Sequence, residues 1–166
     1  THLQRWVDAI EMAGVVATDT ETTGLDNQVA DLVGISFSIA PGTGAYLPLG
    51  HVTGEGDIFG GGRAEGQMDM REALDLVRPL FADRSILKIF HNVKYDLGIL
   101  ARYGIEVQSF DDNLLMSYAL DGRVLFMNAA AERILGVTVY WPLKLLGILM
   151  LVVEIAWFIL WPIRSE

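Results

Sequence analysis

Val15-Val16-Ala17-Thr18-Asp19-Thr20-Glu21-Thr22-Thr23-Gly24-Leu25-Asp26 opens on β-prone residues, carries two acids, and ends in a glycine turn. Successive side chains of a strand point to opposite faces, so Asp19 and Glu21, two residues apart, share one face. Two hard oxygen donors therefore converge at the end of the first predicted strand. An isolated Asp-x-Glu is common as a solvated or capping pair, so its meaning depends on the chain around it.

Upstream, Thr1 stands as a helix N-cap with Gln4 three residues on, and Leu3, Trp6, Val7 and Ile10 recur at helical spacing as far as Gly14. Downstream, Leu32 to Ile39 and, after Pro-Gly-Thr-Gly, Ala45 to Leu49 complete three consecutive strands expected to be antiparallel. Residues 50–67 are glycine-rich and aperiodic, the pattern of a long loop. Helical spacing returns from Met68 to Ala82, followed by a strand at Ile86 to Phe90, a helix from Val93 to Tyr103, a strand at Val107 to Phe110 and a helix from Asp112 to Leu120. Three strands followed by alternating helices and strands indicate an α/β fold built on a mixed sheet.

Asp96 lies near the start of a predicted helix in His91-Asn92-Val93-Lys94-Tyr95-Asp96, just after a strand. Were that strand to neighbour the first, Asp19, Glu21 and Asp96 would meet at one sheet edge. Carboxylates so gathered repel one another unless a cation shares the site. Mg²⁺ suits a site of a few carboxylates, water and phosphate oxygens, and a pair of such ions serves phosphodiester cleavage.

Composition limits the alternatives. Cysteine is absent, which removes disulfides and thiolate metal sites and suits a cytoplasmic protein. Residues 1–122 hold 18 acidic and 8 basic side chains, so nucleic acid would have to be bound with the help of cations rather than by a broad basic surface. Gly60-Gly61-Gly62 lacks the Lys-Ser/Thr of a phosphate-cradling loop. The chain changes character near Gly122. From Leu145 to Ile163 the one charge is Glu154, with Lys144 and Arg164 at the flanks and Trp141, Trp157 and Trp161 towards the ends. The segment 143–163 is expected to be a hydrophobic C-terminal helix, long enough for the ~30 Å core of a bilayer. A membrane anchor, a buried or partner-covered helix, and a segment foreign to the domain are equal readings, with 123–142 as a connector.

Ala17 to Asp26, Leu32-Val-Gly-Ile-Ser-Phe-Ser-Ile39, Ala45-Tyr-Leu-Pro-Leu49, His91 to Asp96, and Phe110-Asp111 with Ser117-Tyr118 occur in order. Over residues 1–122 this set resembles the 3′–5′ proofreading exonuclease of bacterial DNA polymerase I, a DEDD exonuclease with a ribonuclease H-like fold. The resemblance implies two-metal hydrolysis, with Mg²⁺ or Mn²⁺, of the 3′-terminal phosphodiester of single-stranded DNA, and a polymerase domain in the parent protein. It assigns the metal ions and catalysis to Asp19, Glu21 and Asp96, and the 3′-terminal nucleotide to Leu25, Asn92 and Tyr95. Read without it, Leu25 is a turn hydrophobe, Asn92 a helix cap, and His91 a hydrogen-bonded packing residue.

One departure bears on activity. The family's third motif, Tyr-x-x-x-Asp, has no counterpart, because Tyr118-Ala-Leu-Asp121 is one residue too short. Asp111 and Asp112 read as helix-start acids, leaving Glu132 as the nearby acid for the fourth position. Impaired turnover is therefore expected. The alternatives are a non-catalytic nucleic-acid-binding or membrane-tethered fragment and an RNase D-like exoribonuclease.

Overall fold

The computed structural model describes residues 1–53 and 62–121. The predicted segments 123–142 and 143–163, Glu132, and residues 54–61 of the glycine-rich loop lie outside the described residues. Among the described residues no helix is long and apolar enough to cross a membrane.

Helix α1 (His2–Ala13) starts at Thr1, whose hydroxyl accepts the Gln4 N–H at 3.2 Å, and stops at Gly14, which takes the left-handed conformation (φ 66°) that glycine enters without penalty. Strand β1 (Val15–Thr22) pairs antiparallel with β2 (Leu32–Ser38), which pairs antiparallel with β3 (Ala45–Pro48). After α2 (Met70–Ala82), strand β4 (Leu87–Phe90) pairs parallel with β1. Helix α3 (Val93–Arg102) then leads to β5 (Phe110–Asp112), parallel to β4. The five-stranded mixed sheet has the order β3-β2-β1-β4-β5.

Thr1–Asn113 form one unit, and a second begins at Leu114, within α4 (Asn113–Asp121). The core of the first unit joins Leu3, Val7 and Ile10 of α1 and Leu74, Val77, Leu80 and Phe81 of α2 to Val16, Ile35, Phe37 and Leu47 of the sheet. Phe37 and Phe81 meet with ring centroids 6.4 Å apart. Each large apolar side chain so buried contributes about 1.5–3 kcal/mol.

Strand β1 carries both acids, as the alternation requires, because its pairing with β2 continues to Thr22, and alternate threonines favour extended backbone. The boundary that bears on the site is that of β5. Strand β5 starts at Phe110 rather than Val107: Gln108 N donates to Phe81 O, and Ser109 turns through a positive φ of 49° before the ladder with β4 begins. Asp111 and Asp112 consequently sit on a strand.

Candidate functional site

Strand β1 changes partners along its length. Val15–Ala17 pair with β4, whereas Ala17–Thr22 pair with β2, so beyond Ala17 the side facing β4 is open. Helix α3 fills that opening with Asp96, whose Oδ1 accepts Thr20 N–H at 2.9 Å and Thr20 Oγ1–H at 2.7 Å. A carboxyl only 1% exposed is costly unless hydrogen-bonded, and these two donors supply what burial removes.

The start of α3 is held in an unexpected way. Asn92 adopts a left-handed φ of 69° and its side chain makes no capping bond. The cap comes from β5: Asp112 accepts Asn92 N–H and Val93 N–H, each at 3.0 Å, one on each carboxyl oxygen. Asp112 is thus a helix-start acid for α3, supplied from the neighbouring strand, and Asn92 is released from the capping role. Left-handed asparagine is sparsely populated and persists where surrounding structure enforces it.

A cleft of about 500 Å³ opens here, lined by Asp19, Thr20 and Glu21 of β1, Leu25 of the following turn, and His91, Asn92, Tyr95 and Asp96 of the β4–α3 region. All six site residues taken from the sequence line it. Leu25 is 98% exposed on the rim, although apolar. Tyr95 donates its hydroxyl proton to Gly24 O and contacts Thr22 Oγ1, which also donates to Gly24 O, so the turn carrying Leu25 is tied to α3. Asn27 reinforces the tie by donating to Lys94 O and Tyr95 O across a space that a Cβ on Gly98 would fill, 2.3 Å from Asn27 Nδ2. His91 contacts Asn113 Oδ1 through Nδ1, a packing bond that leaves it on the cleft wall.

The electrostatics are those of crowded acids. Burial, then Asp96, then Glu21 push the Asp19 carboxyl up to about 7, and Asp96 and Glu21 are raised as well, chiefly by burial. Asp19 and Asp96 approach closely enough to share a hydrogen bond when one is protonated. Among the described residues, no three Asp, Glu or His side chains already stand as a metal-ligating group. Asp96 spends one oxygen on Thr20, and Glu21 is left beside the Asp19–Asp96 pair. The donor set nevertheless fits a divalent ion in chemistry: three hard oxygen ligands whose mutual repulsion such an ion would relieve.

Sequence reasoning missed Thr20 and Asp112. Thr20 stood between the two conspicuous acids and its alternation placed it on the opposite face. Asp112's role depends on β5 lying beside β4, which spacing alone does not reveal.

The 3′–5′ exonuclease family model matches residues 1–141, beyond the change in character near Gly122. DNA polymerase I of Rhizobium leguminosarum is 46% identical over 147 residues, which is 82% of this chain and 14% of that protein, so the chain spans about one seventh of its relative's length. Among solved structures, Brucella melitensis NrnC bound to pGG superposes with a TM-score of 0.57 at 27% identity, covering 76% of this chain and 55% of that one. Escherichia coli RNase D superposes with a TM-score of 0.58 at 18% identity, over 83% of this chain and 32% of that one, a likeness of fold.

Proposed function

The chain belongs to the 3′–5′ exonuclease family of DNA polymerase I, and from this premise we propose that its cleft hydrolyses the 3′-terminal phosphodiester of single-stranded DNA, releasing nucleoside monophosphates. The observation that carries the proposal is the gathering of Asp19, Glu21, Leu25, Asn92, Tyr95 and Asp96, from two blocks of sequence, around one cleft.

Asp19, Glu21 and Asp96 would hold Mg²⁺ or Mn²⁺, which when bound supplies a water of lowered pKa and stabilises charge on the leaving oxygen. The remaining work belongs to the chain. Thr20 fixes Asp96 by two hydrogen bonds, so that its second oxygen is the one available to the cleft. Asn92, freed from capping by Asp112, presents its amide to the terminal nucleotide, and Leu25 offers an apolar edge to a base. Tyr95 keeps that edge in place.

The missing Tyr-x-x-x-Asp leaves one acid unassigned, so binding of metal should outlast turnover, and cleavage should be slow. In the DNA polymerase I relatives a polymerase domain would deliver the 3′ end. The cysteine-free composition accords with a cytoplasmic setting.

An exoribonuclease reading draws on the fold shared with RNase D. Identity of 46% to a DNA polymerase I, against 18% to RNase D, favours DNA. The deciding assay follows mononucleotide release from 3′-labelled single-stranded DNA and RNA, with and without chelator. We expect slow, metal-dependent release from DNA that Asp19→Ala abolishes. Brisk cleavage unaffected by Asp19→Ala would place the active centre elsewhere; faster release from RNA would move the chain to the exoribonuclease reading. Mn²⁺ binding without release from either would leave a non-catalytic module.

A further inference from the structure

The cleft is supported from its second flank by a pair that neither the acids nor the substrate-side residues account for. Tyr46 of β3 pairs with Ser36 of β2, and its ring reaches along the sheet over Gly34, the residue that faces Glu21 across the β1–β2 ladder. A Cβ on Gly34 would stand 2.0 Å from Tyr46 Oη and 2.3 Å from Cζ, so only glycine admits the phenol at this place.

The hydroxyl is not left to rotate. Tyr46 Oη lies 2.7 Å from His51 Nε2, and the two rings meet edge-on with centroids 5.6 Å apart. His51 is itself clamped by Gln67, which accepts His51 N–H at 2.7 Å and donates to His51 O and Ala64 O, each at 2.8 Å. Burial and then the charge of Glu21 push the phenol's ionisation upward, so Tyr46 stays a neutral hydroxyl within reach of that carboxylate's field. Neither Tyr46 nor His51 lines the cleft, so neither is placed to touch substrate.

We propose that Tyr46 is a positioning residue for Glu21: its hydroxyl, held by His51 over the bare Cα of Gly34, orients the Glu21 carboxylate to ligate a divalent cation together with Asp19. A carboxylate that ligates metal gains from a hydrogen bond behind it, which fixes its orientation. If His51 Nε2 donates its proton to Tyr46 Oη, the phenol's own proton is left free to be donated to the Glu21 carboxylate across Gly34. Asp96 approaches β1 from the α3 flank and Tyr46 from the β3 flank, so Thr20 and Tyr46 do the same task for the two outer acids. The inference rests on reading the cleft as a metal site.

The test is a Mn²⁺ titration of the full chain, followed by electron paramagnetic resonance of the free ion, with melting midpoints measured in chelator. Tyr46→Phe should weaken Mn²⁺ binding about 10-fold, with the midpoint unchanged. His51→Leu should do the same, whereas His51→Gln, which keeps a donor, should recover most of the affinity. Should Tyr46→Phe melt early, the His51→Gln and His51→Leu pair decides alone. Wild-type Mn²⁺ affinity in both Tyr46→Phe and His51→Leu overturns the inference and leaves the metal site standing. Absence of saturable Mn²⁺ binding in the wild-type chain removes the metal site, and this inference with it.

Discussion

The two ends of β1 are made of similar extended backbone and serve opposite purposes. Val15–Ala17 are bonded to β4, and Val16 is 2% exposed in the core. From Asp19 to Thr22 the strand keeps β2 alone, and its vacated side receives a carboxylate instead of a strand. The first end gains stability from apolar burial. The second end confines three acids that would be better solvated apart. Ligand clefts in open α/β sheets form outside the carboxyl ends of strands where the chain's path changes direction, and β1 shows the local cause: one ladder stops before the other.

The strongest way to break this comparison is at Asp19. Asp19→Ala should lower metal-dependent release of mononucleotides by about 10²–10⁴-fold, measured on 3′-labelled single-stranded DNA. A loss below tenfold would mean that the second end of β1 is not where the chemistry is done.

The next effect concerns pH. The Asp19 carboxyl titrates near 7 in the folded chain against 3.8 ordinarily, so between those values the folded state binds more protons than the unfolded one. Metal-free stability should therefore fall as pH rises from about 4 to about 7, and level off above. The raised Glu21 and Asp96 act in the same direction. Asp19→Asn should flatten this dependence and raise the melting midpoint at pH 8 in chelator while leaving it nearly unchanged at pH 4. A few kcal/mol is the upper order of the effect. Added Mn²⁺ should reverse it, because a cation favours the charged carboxylates. A midpoint that rises from pH 5 to pH 8 without metal would contradict the crowding of the acids.

At the first end the expected outcome is the mirror image. Val16→Ala should cost about 1.5–3 kcal/mol by denaturant titration, with Mn²⁺ affinity unchanged in the folded fraction. A marked loss of Mn²⁺ affinity would show that the two ends of β1 are not separable.

The sequence made the elements legible wherever periodicity was strong, as in α1, α2 and the antiparallel β1–β3. It made Asp19 and Glu21 legible because alternation on a strand is local geometry. The convergence of Asp96 depended on β4 lying beside β1, which the motif resemblance supplied and spacing did not. Thr20 and Asp112 were hidden for the same reason: each acts on a residue distant in sequence, across contacts that exist only after the sheet has formed. The boundary of β5 was misread because Ser109 enters a left-handed turn that no proline or glycine marks.

The smallest expected effect sharpens the comparison at the very end of β1, where strand becomes turn. Tyr95 Oη and Thr22 Oγ1 both donate to Gly24 O, and Leu25 follows at once, fully displayed on the rim. Tyr95→Phe removes one of these two donors and the contact with Thr22, while the ring keeps its packing on the core. The turn survives on the Thr22 bond and on Asn27, so the stability loss should be about 1 kcal/mol or less. What loosens is the placement of Leu25, the rim residue proposed to meet the terminal base apart from the acids. A weakened uniform contact raises KM and spares kcat. Steady-state rates on single-stranded DNA should accordingly show KM rising a few-fold, with kcat and Mn²⁺ affinity near wild type. A fall in kcat at constant KM would instead assign the Tyr95 hydroxyl to the chemistry of the acids, and the rim and floor of the cleft would have to be treated as one device.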